Sequence, residues 1–177
     1  MGSQEHQAYL SIGSNLGNKK ENLEAAVRLL EEEETIRVDA VSSFYRTQPQ
    51  NYLDQDWFVN AAVKISTSLE PESLLAVLKQ MERQMDADGK PFRFGPRLID
   101  LDIIYFENWV VNSETLQIPH PRMHERCFVL VPLSDIGNEV VHPVLKQRPA
   151  ELLKKIETQD SQKVILLTEE ANGEIFY

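Results

Sequence analysis

The segment RFGPRLIDLDIIY at 93–105 constrains this chain more than any other stretch. A Gly-Pro turn leads into a run rich in Ile and Leu, and residues 98–106 have the length and composition of a strand. Side chains alternate across a strand, so Ile99, Leu101, Ile103 and Tyr105 share one face. Leu98, Asp100, Asp102, Ile104 and Phe106 share the other. The first is a core face. The second sets two carboxylates side by side, roughly 6.5–7 Å apart along the backbone. Two like charges among aliphatics raise the free energy of a fold unless water, arginine or a metal ion neutralises them.

Cations lie close by in sequence: Arg83, Lys90, Arg93 and Arg97 before the strand or at its start, Arg122 and Arg126 after it. They matter because the chain carries a net charge of −10, from 28 acidic and 18 basic residues. That balance argues against a general nucleic-acid binder, which needs a basic stripe. An anionic ligand would need a local cationic patch. A D-x-D pair on a strand is a hard-oxygen site suited to magnesium, which keeps waters or phosphate oxygens at its remaining positions. Two metal ions bridged by carboxylates can stabilise the attacking and leaving oxygens of phosphorus chemistry, and arginine forks can hold the phosphates. The alternative is that Asp100 and Asp102 simply pair with Arg97 and Arg93 at a strand end.

Around this segment the chain alternates regularly. A strand at 8–12 runs through the turn 13–18 into a helix carrying Leu23, Ala26, Val27 and Leu30. That turn has neither the P-loop nor the dinucleotide-binding spacing, so it reads as a strand-to-helix connection. A second strand spans 36–45, and a polar loop spans 46–56. A third strand covers 57–65, with Trp57, Val59, Ala61, Val63 and Ile65 on its core face. Phe58 and Asn60 fall together on the other face; they suit a flat heteroaromatic ligand, or ordinary packing. Glu70-Pro71 opens a helix with Leu74, Leu75, Leu78, Met81 and Met85 along its buried stripe. A second polar loop, 86–97, precedes the aspartate strand. Residues 109–111 read as the return of a hairpin.

His120, between two prolines, could be a phosphate donor, a metal ligand or a structural histidine. His6, His124 and His142 read as surface or local structural groups. Helices are expected at 128–136 and 145–156, and short strands at 164–167 and 174–177. The order βαββαβ with helices added after it implies an α+β, ferredoxin-like core. Its antiparallel sheet would lie between two helical layers, a three-layer αβα arrangement. An apolar content of 42% and charged content of 26% over 177 residues suit one globular domain, 1–177. No apolar run has membrane-spanning length, the start lacks a signal-peptide pattern, and Cys127 is the lone cysteine. A cytoplasmic monomer without membrane or nucleic-acid partners is the expectation.

Five ordered motifs resemble the 6-hydroxymethyl-7,8-dihydropterin pyrophosphokinase family of folate biosynthesis. They are YLSIGSNLGN at 9–18, VSSFYRTQP at 41–49, FVNAAV at 58–63, FGPRLIDLDIIYF at 94–106, and IPHPRMHER with FVLVPLSDI at 118–136. The resemblance implies transfer of pyrophosphate from ATP to the pterin hydroxymethyl group, releasing AMP. It further implies that Asp100 and Asp102 hold two magnesium ions. Arg93, Arg97, His120 and Arg126 match positions at the ATP phosphates, and Glu82 and Ile103 match the nucleotide pocket. Thr47, Pro49, Phe58, Asn60, Phe94 and Phe128 match the pterin pocket, with Phe94 and Phe128 against the ring faces and Asn60 at its edge.

Two departures bear on rate and loop closure. The family's G-R-x-R pattern is missing at 85–90, where Lys90 is the sole cation, and a lysine lacks the bidentate fork of an arginine. Gln50-Asn51-Tyr52 stands where a glycine is usual. The alternatives are a different metal-dependent nucleotide transferase, or a pterin- or ATP-binding relative with reduced or lost activity.

Overall fold

The computed structural model describes residues 4–87, 92–157 and 162–168. In chain order its elements are β1 (His6–Ser14), α1 (Lys19–Glu32), β2 (Ile36–Val41), β3 (Tyr45–Thr47) and β4 (Phe58–Thr67). There follow α2 (Pro71–Met85), β5 (Asp100–Phe106), β6 (Val111–Asn112), β7 (Gln117–Ile118) and a single 3-10 turn at Met123–Glu125. The C-terminal elements are α3 (Cys127–Ile136), α4 (Pro149–Glu157) and β8 (Val164–Leu166).

The main sheet is antiparallel, in the order β5-β1-β4-β3-β8, with β2 also paired to β4. Helices cover both of its faces. Leu23, Ala26 and Leu30 of α1 and Leu74, Leu78 and Met81 of α2 close one core against Leu10, Ile12, Val63 and Leu101. Leu130 and Leu133 of α3 and Leu152 of α4 close the other against Tyr9, Ala62, Ile104 and Tyr105. The expected three-layer α+β plan is therefore present. No helix among the described residues is long and apolar enough to cross a membrane.

Local chemistry explains the element ends. Asn18 caps α1 by accepting a hydrogen bond from the Glu21 N–H at 3.3 Å, and Pro71 occupies the first turn of α2, where a missing N–H is harmless. The helix expected from residue 145 starts only at Pro149, because a proline disfavours helical backbone in the residue before it.

Several strand expectations need correction. The strand expected at 36–45 breaks into β2 and β3, because the Ser42 hydroxyl accepts the Ala62 N–H at 2.8 Å in place of a backbone carbonyl. Arg46 and Thr47 thus belong to β3 and not to the loop. Trp57 lies outside β4 and carries the Arg46 guanidinium 4.6 Å from its ring centroid. The hairpin near 109 is β6 with β7, while Trp109 packs at a tilt against Phe106 and edge-on against His6, which is buried.

The largest correction concerns β5. Tyr9 pairs with Tyr105 but Leu10 pairs with Ile103, so Ile104 is an extra residue in a β-bulge. Beyond it the alternation inverts. Phe106 joins the α1/α2 core, and Tyr105 joins Ile104 in the core beneath α3. The expected strand at 174–177 lies outside the described residues.

Candidate active site

Three neighbouring strands bring the candidate residues to one face. In β1, Gly13 is paired with Asp100 of β5 on one side and with Asn60 of β4 on the other. Ser11 is paired in the same way with Asp102 and Ala62. Strands stand about 4.8 Å apart, so the backbones at Asp100 and Asn60 lie about 10 Å apart across Gly13. The amide of Asn60 lies over this glycine; a Cβ there would meet Asn60 Oδ1 at 2.8 Å. Asn60 is buried, and its Nδ2 donates to Thr47 Oγ1 at 3.4 Å.

Above this row opens a cavity of about 340 Å³. Its walls include Thr47, Pro49, Phe58, Asn60, Phe94 and Phe128 together with Arg93, Arg97, Asp100, Asp102, His120 and Arg126. Glu82 and Ile103 do not line it. Ile103 is buried in the α1/α2 core opposite Leu10. Glu82 instead accepts the Leu101 N–H at 2.7 Å and pairs with Lys79 at 2.9 Å. Lys90 lies outside the described residues.

The cavity is locally cationic within an acidic chain. Lys79, Arg93, Arg97, Arg122 and Arg126 face two carboxylates among its described lining residues. Arg97 Nη1 lies 3.0 Å from Asp100 Oδ2, with its guanidinium 5.4 Å from the Phe58 ring. Arg93 lies 4.8 Å from the ring of Phe94, and Arg126 5.5 Å from that of Phe128. Burial, then the neighbouring Arg122, depress the Arg126 guanidinium below its ordinary pKa. Its buried Nε has no acceptor among the described residues, a donor of the kind a phosphate oxygen satisfies.

Burial, reinforced by Arg126, pushes His120 down to about 4. The imidazole is therefore neutral at neutral pH. Its Nδ1 accepts the Arg122 N–H at 3.2 Å, which leaves Nε2 as the N–H donor. Such a group can donate a hydrogen bond but is a poor general base.

Asp100 and Asp102 are the two carboxylates among the described cavity-lining residues that could hold a metal ion. Among the described residues no group of three or more His, Cys, Asp or Glu could hold an ion. A cation here would depend on two carboxylates plus oxygens from water or a ligand. That donor set fits magnesium better than zinc, which prefers a closed nitrogen and sulfur shell.

Four cavity or loop residues were not singled out from the sequence as site residues. Asn15 Oδ1 accepts the Arg97 N–H at 2.9 Å, and its Nδ2 donates to Gln55 Oε1 at 2.8 Å and to Asp56 O at 3.2 Å. Gln55 in turn donates to Phe94 O at 3.0 Å. Together they tie the loop after β3 to the loop before β5. Phe94 adopts φ 62°, a strained left-handed conformation for an aromatic residue. Lys79 and Arg122 complete the cationic wall. Lys79 lies outside the apolar stripe read for α2, and Arg122 entered the sequence reading only as part of the cationic patch.

Comparison with known proteins agrees with this geometry. Residues 9–138 match the family described as 7,8-dihydro-6-hydroxymethylpterin-pyrophosphokinase. The 2-amino-4-hydroxy-6-hydroxymethyldihydropteridine pyrophosphokinase of Bacillus subtilis is 44% identical over 133 residues, covering 75% of this chain and 79% of that protein. The enzyme of that name from Methylorubrum extorquens is 45% identical over 135 residues, covering 76% and 85%. The folic acid synthesis protein FOL1 of Dictyostelium discoideum is 46% identical over 137 residues, but this chain spans only 20% of it. Among solved structures, wild-type HPPK-DHPS of Plasmodium falciparum superposes with a TM-score of 0.67 at 17% identity, covering 87% of this chain and 44% of that one. That likeness concerns the fold. Motifs, site geometry and relatives converge: the chain belongs to the 7,8-dihydro-6-hydroxymethylpterin-pyrophosphokinase family.

Proposed function

We propose that this chain transfers pyrophosphate from ATP to the hydroxymethyl group of 6-hydroxymethyl-7,8-dihydropterin and releases AMP. The observation that carries the reading is the row Asp100–Gly13–Asn60 across β5, β1 and β4. A carboxylate pair among arginines stands at one end, and an amide beside aromatic rings stands at the other. That spacing suits a triphosphate reaching toward a flat ring.

In this reading Asn60 reads the edge of the pterin, Phe94 and Phe128 cover its faces, and Thr47, Pro49 and Phe58 form the remaining wall. Arg93, Arg97 and Arg126 hold phosphate oxygens, and neutral His120 donates a hydrogen bond from Nε2. Asp100 and Asp102 would hold two magnesium ions, whose chemistry is to neutralise the triphosphate and polarise its phosphorus. The pterin hydroxyl oxygen bonds to the β-phosphorus as the bond from that phosphorus to the α-phosphate oxygen breaks; AMP leaves with that oxygen and the hydroxyl proton passes to water. Positioning and charge complementarity then supply most of the rate enhancement. Glu82 and Ile103, matched to the nucleotide pocket, also hold β5 in place beside the phosphates. The chain is taken as one domain over 1–177, a monomer working in the cytoplasm.

The test incubates the chain with ATP, magnesium and the reduced pterin and identifies the products. AMP and pterin diphosphate should appear in equal amounts. ADP in place of AMP, or turnover independent of the pterin, overturns the reading. A nucleotidylated product would favour another nucleotide transferase, and tight binding without AMP a relative that has lost activity.

A further inference from the structure

β5 is an edge strand of the main sheet, so alternate N–H and C=O groups along it have no neighbouring strand. At Leu101 these groups are taken up by α2. The Leu101 N–H donates to Glu82 Oε1 at 2.7 Å, and Lys79 Nζ donates to Leu101 O at 3.2 Å. Lys79 and Glu82, one helical turn apart, close the arrangement at 2.9 Å. Leu101 is the residue between the two aspartates, so fixing its peptide groups fixes the backbone of both.

The same ammonium lines the cavity and lies 3.9 Å from Asp102 Oδ1. Its side chain is 34% exposed and that of Asp102 35%. Burial works against its charge, but Asp102, Glu82 and Asp100 outweigh it and hold the pKa above the ordinary lysine value.

Resting on the proposed function, we infer that Lys79 is a positioning residue for the carboxylate pair. Its ammonium is a built-in counter-charge that orients Asp102 and sets how tightly the pair takes up a divalent cation. A fixed positive charge about 4 Å from a ligand oxygen repels any ion approaching it, and water screens half-buried charges only partly. Lys79 thereby weakens the empty pair as a metal site and keeps its geometry ready for a cation that arrives with the triphosphate. The chain thus requires nucleotide and metal together more strictly than the carboxylates alone would.

The experiment titrates Mn2+ into the full chain, alone and with a non-hydrolysable ATP analogue, and follows free Mn2+ by electron paramagnetic resonance. Lys79→Gln removes the charge, Lys79→Arg keeps it, and Lys79→Met is a second neutral variant should the glutamine one fail to fold. Without nucleotide, the neutral variants should bind Mn2+ about tenfold more tightly or better, and the arginine variant within about threefold of the parent. In turnover, kcat should fall about fivefold or more in the neutral variants and recover with arginine, while KM for the pterin stays unchanged. Mn2+ affinity unmoved in the neutral variants, or moved equally by glutamine and arginine, overturns the inference. If the parent takes up no Mn2+ even with the nucleotide analogue, the proposed function falls and this inference with it. Normal uptake by the parent beside unmoved variants removes the inference alone.

Discussion

Gly13→Ala tests the site with a single methyl group. Gly13 is the strand residue between the acid pair and the amide, and its missing side chain is what gives Asn60 room. A Cβ would stand 2.8 Å from Asn60 Oδ1, 3.1 Å from Nδ2 and 3.3 Å from Cγ. Ordinary contacts begin near 3.4 Å, so the amide must swing away by several tenths of an ångström or more. Asn60 is only 3% exposed, and its rotation is limited by the buried Thr47. Hydrogen bonds weaken steeply with misalignment, and losing two from the ring edge costs about 2–3 kcal/mol. That converts to a pterin affinity about 30- to 150-fold weaker. Titration calorimetry with the reduced pterin should show this loss, while affinity for an ATP analogue changes less than about threefold. Asn60→Ala should reproduce the effect, and combining both changes should add little, because they disable one contact. The reasoning is refuted if Gly13→Ala binds the pterin as the parent does, or if ATP affinity falls in parallel.

Asp100→Asn and Asp102→Asn should each lower kcat by about 10²–10³ while melting within about 5 °C of the parent; full activity in either variant removes the metal argument. Asn15→Ala deletes three side-chain hydrogen bonds that tie two loops to Arg97 and should lower stability to urea by about 2–4 kcal/mol, with KM rising for both substrates. A third outcome concerns pH. His142 is buried, and its Nδ1 accepts the Val144 and Leu145 N–H groups, so burial holds its folded pKa below the ordinary histidine value. The unfolded chain then binds the proton more readily, and stability present above about pH 6.5 is lost as the pH falls from there toward the depressed folded value. Thermal melts at pH 7.5 and 5.5 should show a drop that His142→Asn reduces, since asparagine keeps an acceptor without titrating; an equal drop in the variant contradicts the assignment.

Much of this architecture was legible in the residues. The alternation of β4 placed Phe58 and Asn60 opposite a core face, and both line the cavity. The helical stripes of α1 and α2 held because 3.6-residue periodicity survives wherever a helix packs on a sheet. Failures came where an extra residue or a side-chain acceptor interrupts a ladder. The bulge at Ile104 and the Ser42 hydroxyl both break the period of two, and neither leaves a trace in hydropathy. Lys79, Asn15 and Gln55 stayed hidden for another reason. Their partners lie 22, 82 and 39 positions away, and such pairs acquire meaning only when strands and loops are assembled. Motif resemblance nominated residues that line the cavity together with Glu82 and Ile103, which lie off it and hold β5 in place.

The bulge in β5 bears on how faithfully the chain folds. Because the strand reverses its facing after Ile104, a slide along β1 by an odd number of residues misfaces both halves at once. A slip by one residue would turn Asp100 and Asp102 into the aliphatic core beneath α1 and α2, where each uncompensated charge costs several kcal/mol. A misfaced register therefore carries a desolvation penalty at the acid pair that the native register does not. Replacing both aspartates with alanine would remove that penalty. The expected result is a chain that refolds with more misregistered, aggregation-prone species even if its native state is more stable.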